Sequence, residues 1–528
     1  MPSRWKTLSI ACKNGLILDN DPYSQGTELP GSAIQLVNFE PSVTGGYRRI
    51  NGYTKFDSNE VPHICTYGSG VYDTGACSYG GSTLVSGAIL GVTVFGSGVI
   101  IGRNEHLWTS NGSGWTRING TDARTAASKW RHTHYNWASP TVILVDGGGF
   151  PVKWDGSTYT SLSGSGAPTS PGFVEEFSSH IFYGSGTVVQ FGAPNQDTVF
   201  DTASGGGRIQ FGDTVTGLKK FRENLYIFGR RRISKITGTN LSSFAMVPVT
   251  NDIGCLASDS IQEINGDIVF LAPDGFRTIA ATERIGDINI AVISKDIQSI
   301  VNPVASTYAN NFINSVLVRS KSQYRLFTAT TNTAVQDGYG IIGGLRHKQS
   351  EEYSNPTSYE WGELQGILAT AADSGYIGTA EYVLHGGMDG FIYRQEQGNS
   401  FNGAAVTAIY KTPYLTFGDP GIRKTIYKLD TYYKVEGTTN VNAQINLDYN
   451  DPNIVQPPSF SIQSDATLSL YGTAVYATDV YGTTNRPRVK SNTTGSGMVI
   501  GFTFSTVDTN APYTIQSLVI QYSIEGRS

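Results

Sequence analysis

Cleavage of a glycosidic bond needs two carboxylates flanking it, about 5 Å apart for retention or about 6.5–9.5 Å for inversion. The carboxylates worth testing for that chemistry are Asp146, Asp155, Asp267 and Asp274. Each adjoins a glycine, in Asp146-Gly147, Asp155-Gly156, Gly266-Asp267 and Asp274-Gly275. An Asp beside Gly is what a tight turn uses, because its side chain accepts from the backbone just ahead. No sialidase-type Ser-x-Asp-x-Gly-x-Thr-Trp box occurs, so no catalytic pair and no enzyme is expected. Among seven histidines only His132-Thr133-His134 are close. On a strand, residues i and i+2 share a face, so two imidazoles could meet one metal. No third ligand stands nearby, and the pair reads as partly exposed rings near Trp130 and Trp137. The runs Gly147-Gly148-Gly149 and Gly205-Gly206-Gly207 lack the Gly-Lys-Ser/Thr of a phosphate loop and read as turns. Neither a metal nor a cofactor is expected.

A denser feature is basic. Lys219, Lys220, Arg222, Arg230, Arg231, Arg232 and Lys235 crowd into 17 residues. They read either as a patch touching double-stranded DNA or an acidic neighbouring subunit, or as turn and edge charge that discourages strand-edge aggregation.

These side chains must be carried by β structure. The chain has 528 residues, 62 of them Gly, with 11% aromatic and 15% charged residues. An average globular protein has roughly 25% charged residues and roughly 7% Gly. Such a composition favours many short strands and tight turns over helices. The length calls for two or more domains or a repeat-built fold. A formal net charge of −5 argues against affinity won by neutralising phosphates, though weak binding suits a wall past which DNA slides. The four cysteines, Cys12, Cys65, Cys77 and Cys255, form no Cys-x-x-Cys and read as free thiols of a reducing cytoplasm. Cys65 and Cys77 can pair only if a hairpin joins them. No signal-peptide run and no stretch of ~20 apolar residues is seen, so a soluble protein that is not exported is expected.

From about Cys65 to Asn399 a unit recurs: an apolar residue, two polar ones, an apolar one, a turn, then an aromatic-rich strand. Its clearest copies are Phe173 to Gly184, Leu218 to Gly229 and Ile261 to Leu271, with Val174, Leu218 and Ile261 as equivalent positions. A period of ~40–45 residues with four short strands is that of a β-propeller blade. The expected architecture is therefore all-β: an N-terminal extended arm with strands (1–57), a propeller of about six or seven blades (58–400) and a C-terminal β-sandwich (401–528). The last unit shows period-2 alternation at Ile445 and Leu447 against Gln444 and Asn446.

Two stretches carry a resemblance, and a third, Ile515 to Arg527, is similar. Asn38-Phe39-Glu40-Pro41-Ser42 with Gly45-Gly46-Tyr47-Arg48-Arg49-Ile50-Asn51-Gly52-Tyr53 resembles the N-terminal signature of the tail nozzle (tail tubular protein B, packaged-DNA stabilisation) family of podoviruses, the short-tailed bacteriophages. Leu415 to Ile426, with Gly418-Asp419-Pro420 and Arg423-Lys424, resembles that family's strand-turn-strand. The resemblance implies a structural virion tail protein assembled in the host bacterial cytoplasm as a hexameric ring. It implies adaptor and portal proteins, tail fibres or spikes, and a plug or needle as partners, and transient contact with genomic double-stranded DNA. Tyr47, Arg48, Arg49, Arg423 and Lys424 are then candidates for contacts with a neighbouring subunit or the adaptor. Lys219, Lys220, Arg222, Arg230, Arg231 and Arg232 are candidates for DNA or neighbour contact. Two rival readings are a carbohydrate-binding or glycoside-hydrolysing propeller and a receptor-binding tail fibre.

Overall fold

Short β-branched and aromatic runs punctuated by Gly, Asn and Asp make strands joined by two-residue turns. Between Gln262–Ile264 and Asp267–Ala272, Asn265 (φ 55°) and Gly266 (φ 77°) both take positive φ. That is the geometry whose twist matches the flanking strands. The computed structural model describes residues 5–42, 45–62, 64–67, 70–73, 77–79, 82–84, 87–103, 106–120, 122, 124, 129–279, 292–330, 338–345, 359–464 and 488–526.

Among the described residues, seven small antiparallel sheets follow one another along the chain. Their first strands are Ile89–Phe95, Arg131–Asn136, Phe173–Phe177, Val215–Phe221, Gln262–Ile264, Asn311–Val318 and Ala371–Ile377. The first four begin at residues 89, 131, 173 and 215, a regular step of 42. Neighbouring sheets pack against one another around a ring, and the seventh meets the first. At that seam a Cβ on Gly386 would come within 2.5 Å of Ile89. Between the first two sheets, a Cβ on Gly102 would lie 2.1 Å from the ring of Trp130, so only glycine lets the indole in. The fold is a β-propeller, and its closure is made by the start of the chain. Tyr53–Lys55 adds the outer strand of the seventh sheet, pairing Tyr53 with Gln395 and Lys55 with Tyr393.

The remaining strands form a sandwich. One sheet holds Lys6–Ala11, Phe39–Pro41, Tyr47–Arg49, Tyr513–Gly526, Arg423–Val435 and Arg488–Gly497. The other holds Gln35–Val37, Val406–Lys411, Ile500–Asp508, Thr439–Leu447 and Phe460–Ser464. Ile10, Tyr47, Tyr410, Leu429, Ile445, Phe504 and Ile520 fill the core that these sheets share. The second sheet is hydrogen-bonded to the propeller. Val37 lies parallel to Glu363 of the sixth propeller sheet, which makes one nine-stranded sheet across both units.

The expected arm at 1–57 is corrected by this pairing. Residues 6–49 are sandwich strands and their connections, and residues 53–55 close the propeller. Lys6–Ala11 pairs along its whole length with the far end of the chain, Ser517 to Tyr522. The propeller is thus an insertion between the two parts of the sandwich, and the sandwich is not confined to 401–528. A buried charge network clamps the joint. Glu40, 2% exposed, receives Arg48 (2.8 Å), Lys321 (2.7 Å) and Arg325 (3.2 Å). Glu396 receives Lys321 (2.6 Å) and Arg325 (2.5 Å). Burial opposes its ionisation, but those two cations outweigh it and hold the carboxyl at about 2. Cys12 and Cys255 are buried free thiols, pushed up to about 12 by burial. The side chains of Cys65 and Cys77 lie outside the described residues. Among the described residues, no helix is long and apolar enough to cross a membrane.

Candidate functional site

The first strands line the propeller axis, and their polar side chains point into it. The cavity there has a volume of about 490 Å³ and is lined by Lys129, Arg131, His132, Glu175, Lys219, Asp259 and Asp373 among others. Asp259 lies in the short turn Ser258–Ser260, ahead of the fifth sheet. It receives Arg131 of the second sheet in a two-pronged contact, 2.8 and 3.0 Å, and Lys129 at 3.1 Å. Lys129 also donates to the Ile313 carbonyl (2.7 Å) and to Asn314, both on the sixth sheet. The bore is therefore bridged from the second sheet to the fifth and sixth. Burial opposes ionisation of Asp259, yet Arg131 and Lys129 hold its carboxyl well below the usual carboxylate range.

His132 and His134 do share a face, with ring centroids 5.2 Å apart. The seventh sheet brings Asp373 to them, 3.7 Å from His132 Nε2. His134 Nε2 is 2.9 Å from Thr93 Oγ1. Burial pushes both imidazoles down to about 4, helped by Lys219 at His132 and by His132 at His134. Burial raises Asp373, against the pull of His134, and raises Glu175, against Lys219. Among the described residues, no three His, Cys, Asp or Glu are placed to hold a metal ion. What the bore offers is fixed charge pairing and neutral imidazole.

No family model matches this chain, and no curated protein matches it. Solved structures similar to it include the extracellular domain of BT4673 from B. thetaiotaomicron, at TM-score 0.37 and 8% identity over 61% of this chain. The chain spans only 39% of the length of that structure. Others are BBS1N in complex with ARL6DN (TM-score 0.37, 10% identity, 60% of this chain and 94% of that one) and the Neurospora crassa Pan2 WD40 domain (TM-score 0.27, 9% identity, 75% and 97%). The likeness is one of fold.

The candidate contact residues are used inside the chain. Tyr47 is fully buried; its hydroxyl lies 2.7 Å from the Lys13 carbonyl and 3.0 Å from the Gly15 N–H. Arg49, also fully buried, pairs with Asp508 at 2.6 Å. Arg48 grips Glu436 with two bonds of 2.6 and 2.7 Å. Lys424 is 1% exposed and donates to the carbonyls of Asp419 and Met498, while Arg423 donates to that of Ser496 (3.3 Å). All five make ties within the sandwich or at its joint to the propeller: Tyr47, Arg49 and Lys424 are buried, while Arg48 and Arg423 stay partly exposed. Arg48 and Arg49 reach Glu436 and Asp508 hundreds of residues on, Arg423 and Lys424 reach Ser496 and Met498 on a neighbouring strand and its turn, and Tyr47 reaches back to Lys13 and Gly15.

The basic cluster does sit on one sheet, the fourth, but not on one surface. Lys219 lines the bore, and Lys220 pairs with Glu176 at 2.7 Å. Arg222 lies at the turn after Val215–Phe221, where it donates to the Gly266 carbonyl (3.0 Å). Arg230, Arg231 and Arg232 lie at the other end of the strand Asn224–Gly229, roughly 20 Å away at ~3.3 Å per residue. Arg230 donates to the Tyr308 hydroxyl (2.6 Å), Arg231 is exposed, and Arg232 lies over the Phe211 ring (5.4 Å). Of the two readings, charge spread over a bore position, a turn and a strand end describes this cluster better than one continuous patch.

Lys219 and His132 were singled out in the sequence, but Lys129, Arg131, Glu175, Asp259 and Asp373 went unnoticed because their partners across the bore come from other sheets. One signal does point to them. Glu175, Lys219 and Gln262 each follow the equivalent apolar positions Val174, Leu218 and Ile261, and all three line the bore. The first polar position of the repeat is the axial one. The four turn aspartates behave as turn groups: Asp146 accepts from Gly148 N–H (3.0 Å), Asp155 from Ser157 and Thr158 N–H (2.8 and 2.7 Å), Asp267 from Ile268 N–H (2.7 Å), and Asp274 pairs with Arg277.

Proposed function

We propose that this chain is a structural subunit of the tail nozzle of a short-tailed bacteriophage, one wall segment of a hexameric ring that retains and then releases the genome. The observation that carries this reading is the nine-stranded sheet joining propeller to sandwich, because a wall under load needs a body without a hinge. The resemblance at Asn38 to Tyr53 and Leu415 to Ile426 supports it further. The first stretch crosses the joint, and the second enters the long strand Arg423–Val435 of the sandwich. In this reading the DNA channel is the hole between copies. The propeller's own bore, bridged by Lys129, Arg131 and Asp259, is a bolted axis and not a conduit. Adaptor and portal proteins, fibres and a plug would dock on surfaces other than the five internal ties named above. Closed rings need large, self-repeating interfaces.

Negative-stain electron microscopy and mass photometry of the purified chain, alone and with adaptor-bearing capsids, test the proposal. Rings of a fixed copy number with a central hole, docked at the capsid vertex, are the expected result. A chain that stays monomeric in both samples, and is absent from particles by mass spectrometry, overturns it.

A further inference from the structure

At one end the bore opens into a bowl of about 570 Å³ between the first, second, third and seventh sheets. This is the size of small-molecule sites, roughly 300–1,000 Å³. Its walls are aromatic. Phe95, Tyr135, Trp137 and Tyr376 line it. Tyr376 is 54% exposed, so its ring face is open to the bowl. Tyr135 and Trp137 lie 4.5 Å apart and tilted by 48°, so their faces form an angled wall. The Tyr135 hydroxyl is anchored on Asp197 (2.5 Å), which fixes that ring.

Polar groups alternate with these rings. His134, Asn136 and Glu176 also line the bowl. Glu176 is held by Lys220 (2.7 Å) and by the Ser179 N–H (3.1 Å), so its oxygens are pre-aimed acceptors whose charge is already balanced. The Asn136 amide and the Trp137 indole N–H have no hydrogen-bond partner among the described residues.

Aromatic faces beside a fixed acceptor, a free amide and a free N–H, with no net charge, match one ligand chemistry. A pyranose offers an apolar C–H face to a ring and hydroxyls at its edge. We propose that the bowl binds a neutral saccharide of one to three sugar units, stacked on Trp137 and Tyr376 with its hydroxyls on Asn136 and Glu176. This does not depend on the ring-forming role proposed above. A wholly apolar ligand would desolvate the Asn136 amide and leave it unpaired.

The test uses the full-length chain and a panel of maltotriose, cellotriose, chitotriose, mannotriose and lactose, read by saturation-transfer NMR and tryptophan fluorescence. At least one is expected to bind. Trp137→Ala and Tyr376→Ala should each weaken it about tenfold, as loss of a stacked aromatic anchor does. Asn136→Ala should weaken it less, and Tyr449→Ala, an exposed aromatic on the sandwich, should change nothing. Tyr376 is exposed enough that its variant folds, so the test survives a misfolded Trp137→Ala. No binding by any member up to roughly 10 mM, above the weakest millimolar affinities of specific sites, overturns the proposal. So does binding that Trp137→Ala and Tyr376→Ala leave unchanged, or binding of p-nitrophenol at the bowl with no sugar competing.

Discussion

His385 lies fully buried in the seventh propeller sheet, stacked on Tyr393 (5.1 Å) and edge-on to Tyr53 (5.0 Å). Burial lowers its pKa from 6.5 to about 3. The unfolded chain therefore takes up a proton near pH 6.5 that the fold refuses until about pH 3. Stability rises with pH wherever the unfolded state binds more protons. It should therefore fall as pH drops from 6.5 toward 3 and level off below. His132 and His134, held at about 4, add to the same slope over the upper part of that window. Denaturant titrations at pH 3.5 to 7 should show His385→Asn with a shallower dependence, by up to about 1.4 kcal/mol per pH unit. An unchanged slope would mean that the ring is protonated in the fold. Nothing local in sequence marks His385, because what neutralises it is burial by rings from residues 53, 327 and 393. The turn aspartates were legible for the opposite reason: their partners lie within three residues.

At the scale of elements, the repeat was clearest at the third, fourth and fifth sheets. Val174, Leu218 and Ile261 all fall in or next to first strands, because the inner strand of a blade needs an apolar residue at the same depth in each copy. The sixth and seventh sheets start at 311 and 371, beyond the regular step. The strands before residue 57 were not assignable to partners. A three-residue strand such as Tyr53–Lys55 has no period of its own, and its mate lies some 340 residues on. That strand nonetheless closes the ring. Tyr53 stacks on Phe401 (4.9 Å, 15°) as well as touching His385 and Tyr393. Tyr53→Ala removes the ring but leaves the backbone pairing. For a half-buried aromatic the loss should be about 2 kcal/mol, below the 3–5 of a fully buried one. The measurement is a lower denaturation midpoint together with faster amide exchange at Tyr393 and Gln395. Faster exchange confined to the sandwich would show that closure rests elsewhere.

At the scale of the whole molecule, sandwich and propeller share a core and are not two domains joined by a linker. Trp361, 1% exposed on the sixth propeller sheet, stacks on Phe276 of the fifth (5.2 Å, 14°) and on Tyr359 (5.5 Å, 24°). The same continuous cluster contains Leu36, Tyr410, Phe504 and Ile520 of the sandwich. Trp361 also donates to the Ile293 carbonyl (3.1 Å). Chains of this length usually unfold in stages when their units have separate cores. Here neither unit can open without exposing the other's interior or breaking the pairing of Val37 with Glu363. Calorimetry should therefore give a single transition. Trp361→Ala should cost about 3–5 kcal/mol, the range for a buried aromatic, and shift that one transition downward. Expressed alone, residues 401–528 should not fold, because the strand Tyr513–Gly526 would lose Lys6–Ala11 and Tyr47–Arg49 and expose Ile520. Two resolved heat peaks, with Trp361→Ala moving only one of them, would instead mean that propeller and sandwich are independent bodies, and the hinge-free wall invoked for the ring would lose its physical basis.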